Sequence, residues 1–115
     1  MSIARLKNAA GRYELPTIAS IESSAQLVNT ARISANNKIS ITNPPRSKKY
    51  ANAYPLATFT YVIVPKTSPK AAELKAFITW ALGSKAQSSI KKYVFAPMPG
   101  SVVKAAKKTL ATLHS

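Results

Sequence analysis

Tyr54-Pro55-Leu56-Ala57-Thr58-Phe59-Thr60-Tyr61-Val62-Ile63-Val64 is the stretch on which the fold turns. After Pro55 nearly every position is β-branched or aromatic, and the apolar residues run almost without a break instead of alternating. That pattern predicts a strand buried on both faces, as in the interior of an α/β sheet. Pro55 can open such a strand but not sit inside it, and Pro65 closes it.

Upstream the chain is loop-rich. Ile3, Leu6 and Ala10 fall at helical spacing and Gly11 follows as a C-cap, predicting a short helix over residues 1–11, then an extended segment over 12–16. Thr17 or Ser20 can cap a helix over 18–28, with Ile18, Ile21, Ala25 and Val28 on one face. The composition turns polar after Asn29, and Lys38-Ile39-Ser40-Ile41-Thr42 alternates like a strand with one wet face. Asn43-Pro44-Pro45-Arg46-Ser47-Lys48-Lys49 reads as a loop, because paired prolines cannot continue a ladder and the basic run prefers water.

Downstream the pattern becomes helical. Ser68 as N-cap and Pro69 at the first position predict a helix whose stripe is Leu74, Phe77, Ile78, Ala81 and Leu82, stopped by Gly83, with Trp80 in the core. Ser84 with Gln87 three residues on predicts a capping box for a shorter helix reaching about Lys92. Residues 93–100 carry Pro97 and Pro99 and form an irregular connector. Ser101 then caps a final helix with Val102, Val103, Ala106, Leu110 and Leu113 inward and Lys104, Lys107 and Lys108 outward.

Composition sets the limits. The chain has 115 residues, room for one small domain that buries about 60% or somewhat more of its unfolded surface. An apolar share of 46% and a mean hydropathy of -0.05 argue against wholesale disorder. No apolar run approaches the roughly 18 residues of a membrane span, and the basic N-terminus has no apolar segment behind it to make a secretory signal. Cysteine is absent, so disulfides, thiolate metal sites and cysteine nucleophiles are excluded together.

Catalytic constellations are missing too. His114 is the single histidine, penultimate and placed where chain ends fray; there is no aspartate, and Glu14, Glu22 and Glu73 are isolated in sequence. Nothing in their spacing points to a carboxylate pair, a metal cluster or a serine nucleophile with its histidine. Gly11, Gly83 and Gly100 are too scattered for a phosphate-cradling loop. The helix starts at Ser68 and Ser101 could hold an anion on free N–H groups or be satisfied by their own side chains. The sequence predicts no enzyme, cofactor or metal.

Charge is lopsided: 17 Lys and Arg against three acids give +14. Such a field attracts anions, nucleic acid and anionic surfaces included. The cations are scattered, however, with Arg46, Lys48 and Lys49 in a loop, Lys85, Lys91 and Lys92 near one helix and Lys104, Lys107 and Lys108 on another. Few aromatics interleave with them for base stacking, so a solvated face is expected and no specific nucleic acid partner. A small basic nucleic-acid-binding or surface-adhering protein is the alternative that charge alone supports.

The order of segments carries a resemblance. Ile39-Ser40-Ile41-Thr42-Asn43-Pro44-Pro45, then 53–65 ending Tyr61-Val62-Ile63-Val64-Pro65, then Leu74-Lys75-Ala76-Phe77-Ile78-Thr79-Trp80-Ala81, Tyr93-Val94-Phe95-Ala96-Pro97-Met98-Pro99 and Ser101-Val102-Val103, resembles the C-terminal part of the phosphate-binding proteins of phosphate ABC transporters. Leu6-Lys7-Asn8-Ala9-Ala10-Gly11 and Leu15-Pro16-Thr17 are similar to that family as well.

The resemblance implies an α/β, partial type 2 periplasmic-binding-protein fold: residues 1–53 a remnant of the second lobe and its loop, 54–115 the crossing strand and C-terminal helices of the first lobe. It implies a partner set for the parent protein of inorganic phosphate and a membrane permease, and a periplasmic or cell-surface-anchored location. The family holds its oxyanion with hydroxyls, backbone N–H groups, an Arg and an Asp from earlier segments that have no counterpart here. No phosphate ligand carries over; Thr58 and Thr60 on the crossing strand are candidates to approach the cleft, or are structural strand threonines. A C-terminal fragment of this kind is expected to leave a hydrophobic strand edge uncovered and to bind phosphate weakly or not at all.

Overall fold

A computed structural model describes residues 3–29, 33 and 39–115. Among them the architecture is mixed α/β, with four α-helices and a two-stranded antiparallel sheet. Strands β1 (Leu6–Lys7) and β2 (Tyr13–Glu14) form a hairpin with Leu6 opposite Glu14 and Lys7 opposite Tyr13. Helices α1 (Ile18–Ala25), α2 (Ala71–Ala81), α3 (Ser84–Ser89) and α4 (Gly100–Leu110) follow, with 3₁₀ turns after α1, before Ala51 and after α3.

The N-terminal segment is a hairpin and not the expected helix; residues 1–2 of that expectation lie outside the described residues. Asn8-Ala9-Ala10-Gly11 makes the turn, with Asn at its first position and Gly at its fourth, where the Gly11 N–H donates to the Asn8 carbonyl at 2.9 Å. Gly11 sits at φ 87°, the left-handed conformation that closes a three-residue hairpin loop. The signal read as a helix C-cap is therefore a hairpin signal, since both use a left-handed glycine.

Helix α1 starts where sequence places it. Thr17 is its N-cap, in a reciprocal capping box with Ser20: each side chain accepts from the other's backbone N–H, at 3.2 and 3.0 Å. The other helix starts differ. Helix α2 begins at Ala71 with Lys70 as N-cap, because Ser68 spends its oxygens on a preceding turn, accepting from Lys70 N at 3.2 Å and Ala71 N at 3.0 Å. The Ser84 and Gln87 capping box does not form: Gly83 is the N-cap of α3, and Gln87 instead donates to the Ala81 carbonyl and accepts from Met98 N. Helix α4 begins at Gly100 after Pro99, so Ser101 lies inside it. The connector over 94–99 is irregular, as expected, and opens on Val94 at φ 64°. A β-branched residue in that region is strained.

The decisive departure is the stretch 54–64. It contains no strand: residues 55–56 turn, and 57–65 run on without a turn, a bend or a ladder partner. Tyr61, Val62 and Ile63 are exposed, Ile63 at 93%. A strand's hydrogen bonds must be made by neighbours, and the sheet this segment needs is not among the described residues. The second expected strand, over 38–42, is likewise irregular at 39–42, and Lys38 lies outside the described residues, although Ile41 is buried to 1%.

The core is correspondingly small. Ala25, Val28, Ile41 and Ala57 form its centre, with Ile21, Leu27, Ile39, Phe59 and Val102 packed around them, so α1, α4 and the extended segment meet there. Trp80 and Phe77, expected inside, stack on each other 6.1 Å apart on the outer face of α2, with Trp80 65% exposed. The α2 stripe thus reaches the interior only at its edge, through buried Leu82 and half-buried Leu74, Ile78 and Ala81. The molecule is a slab of 49 × 32 × 20 Å with a radius of gyration of 15.8 Å, against about 13 Å for a compact chain of this length.

Candidate functional site

Two apolar grooves flank the extended segment. The first, of about 390 Å³, lies between residues 59–66 and the inner face of α4, with Ile78 and Leu82 at its base. The second, of about 420 Å³, lies between residues 54–60, α1 and the connector, where Val94 and Phe95 form part of the wall.

Local chemistry explains how the segment is held. Helix α1 carries two buried serines, Ser20 and Ser24. The Ser24 hydroxyl donates to the Tyr54 carbonyl at 2.8 Å, and Tyr54 N donates to the Ser20 carbonyl at 3.0 Å, so α1 grips the entry of the segment. Asn8 reinforces it from the hairpin: its Nδ2 donates to the carbonyls of Ala51 and Ala53, both at 3.0 Å, while Oδ1 accepts from Arg12 N. Further along, Thr42 donates to the Ala57 carbonyl, and the Tyr61 hydroxyl donates to the Ile39 carbonyl at 2.9 Å and accepts from its N–H at 3.4 Å. At the exit, His114 N donates to the Lys66 carbonyl and Ser68 N to the His114 carbonyl. The expected fraying of His114 is corrected: the C-terminal turn is stitched to the end of the segment, and Leu113 is buried.

Thr58 and Thr60 both line the second groove, and Thr60 also borders the first. Both are exposed, and neither hydroxyl has a hydrogen-bond partner among the described residues. No described cation faces the second groove, and Lys66 is the one described cation on the first. Two hydroxyls on apolar walls do not make an oxyanion cage, which needs several convergent donors and a positive charge. Among the described residues no group of His, Cys, Asp or Glu could hold a metal, and no helix is long and apolar enough to cross a membrane.

The described basic side chains are exposed except Lys75, which is half-buried. Arg12 pairs with Glu14 at 3.7 Å and Lys91 with Glu22 at 3.6 Å. Lys7 over Tyr13 and Lys49 over Tyr50 place cations on aromatic faces, at 6.0 and 5.4 Å. Surface pairs of this kind contribute little, and the field they leave is diffuse.

Asn8, Ser24 and His114 are the residues that sequence reasoning passed over as structural anchors. An Asn three residues before a Gly was the available signal for the first. Nothing local marked the other two, because their partners are distant in the chain. No family model matches the sequence, and no characterised protein is similar to it at a significant level.

Proposed function

We propose that the chain is a non-catalytic scaffold: the C-terminal part of an extracytoplasmic phosphate-binding protein of an ABC-type phosphate importer, in a partial type 2 periplasmic-binding fold. The observation that carries this reading is the exposed apolar run Tyr61-Val62-Ile63, in a segment without ladder partners that is flanked on both sides by apolar grooves and backed by α2 and α4. A polypeptide that folds its helices against one side of a β-rich segment and leaves that segment without ladder partners is built to receive a sheet. The order of segments that resembles the phosphate-binding family says which sheet. In the parent, hinge closure of two lobes encloses the oxyanion, and the permease takes it onward. The phosphate ligands then belong to the parts that precede these segments, and Thr58 and Thr60 stand at the margin of the cleft.

Isothermal titration at moderate salt tests this. The chain alone is expected to show no saturable phosphate binding. Mixed with a separately produced N-terminal portion of a phosphate-binding protein, ending before the crossing strand, it is expected to restore saturable binding that neither piece has alone. Micromolar, saturable binding by the isolated chain would refute the proposal, as would a stable mixed complex with no affinity for phosphate.

A further inference from the structure

We propose that the chain pairs with a second copy of itself through residues 58–64, antiparallel, about a two-fold axis at Tyr61. The inference is independent of the phosphate reading and concerns the chain on its own.

Four observations carry it. The backbone N–H and C=O groups of residues 58–64 have no hydrogen-bond partner among the described residues, so a whole strand's worth of pairing capacity is open. Val62 and Ile63 are successive residues, whose side chains would point to opposite faces of a strand, yet they are 69% and 93% exposed, so neither face would be covered there. Residues 50–65 contain no charged side chain, and no proline interrupts 56–64. The devices that keep exposed strands from pairing are thus missing, and no like charges would face each other across the axis. Finally, the accessible surface is 8099 Å², roughly 2,000 Å² above the value of about 6,100 Å² expected for a compact monomer of 12.3 kDa. An interface of standard size buries about 800 Å² on each partner, so the excess on one chain is more than such an interface needs.

The register follows from the ends of the free run. Residues 55–56 turn and the Ala57 carbonyl is taken by Thr42, while Pro65 has no N–H to give, so pairing can use 58–64. Its midpoint is Tyr61, whose side chain is already fixed by Ile39. Two-fold pairing there sets Phe59 against Ile63 and Thr58 against Val64, an aromatic with a β-branched residue and two β-branched residues. The net charge of +14 on each copy opposes the approach, so added salt strengthens the dimer by screening.

Sedimentation velocity, with helicity followed by circular dichroism, tests the inference on the full chain and its variants. Dimer is expected, and its dissociation constant is expected to fall as salt rises from about 0.05 to about 0.5 M, where the Debye length shrinks from well above 10 Å to a few ångströms. Ile63→Lys is expected to weaken it at least tenfold with helicity unchanged. Because the chain has no cysteine, single replacements report the register. Tyr61→Cys is expected to cross-link to its own copy on mild oxidation. Thr58→Cys is not, since six strand residues, about 20 Å, would separate the two sulfurs' positions. A monomer at every salt concentration would overturn the inference, including one that instead takes up duplex DNA or an acidic peptide. So would a dimer indifferent to Ile63→Lys, or one cross-linking equally at 58 and 61.

Discussion

Asn8→Ala is expected to destabilise the chain by about 2–4 kcal/mol, the loss of a side chain that satisfies several backbone groups at once. Asn8 is buried, and its amide closes the hairpin through Arg12 N while bonding the carbonyls of Ala51 and Ala53. Ala53 is itself buried, so its carbonyl has no ready access to water after the truncation. Asn8→Asp keeps the acceptor for Arg12 N but sets a carboxylate oxygen against two carbonyls, and is expected to be no better. Urea unfolding followed by circular dichroism measures both as a drop in midpoint. A change below about 0.5 kcal/mol, the size of an ordinary surface substitution, would mean that the hairpin is not fastened to residues 51–53 as described.

The second large effect comes from comparing two isoleucines. Ile41→Ala is expected to cost about 2–4 kcal/mol, because Ile41 is 1% exposed at the centre of the core and its removal leaves a cavity between Val28, Ala25 and Ala57. Ile63→Ala, the same chemical change, is expected to fall within about 0.5 kcal/mol in the monomer at low protein concentration, since nothing packs on Ile63. Unfolding midpoints in urea distinguish them. Were residue 63 inside a two-sided sheet, as its sequence context predicts, the two costs would be alike.

That contrast shows what the sequence did and did not disclose. Periodicity located α1, α2 and α4, because an amphipathic stripe and a capping residue are local properties. Thr17 is the clearest instance, its capping box forming as read. The starts of α2 and α3 moved because Ser68 and Gln87 found partners other than the caps assigned to them, and α4 begins at Gly100, directly after Pro99. Residues 54–64 were misread for a different reason. Their composition states an affinity for a sheet, but a strand is completed by neighbours, and those are not among the described residues. Trp80 and Phe77 follow the same logic: an apolar stripe says that a face is to be covered, and here the face lies open. For the candidate site, Thr58 and Thr60 were named from the sequence, and both line groove walls. The two grooves were not, since they arise from the meeting of residues 54–66 with α1, α4 and the connector.

Amide hydrogen exchange resolved by residue, on dilute chain at low salt where any self-pairing is dissociated, tests the unpaired segment most directly. Amides of 58–64 are expected to exchange at nearly the rate of an unfolded peptide, while those of α1, gripped by Ser20, Ser24 and Tyr54, exchange orders of magnitude more slowly. Protection at 58–64 equal to that of α1 under the same conditions would contradict it, for those amides would then already have the partners that the segment is held to lack.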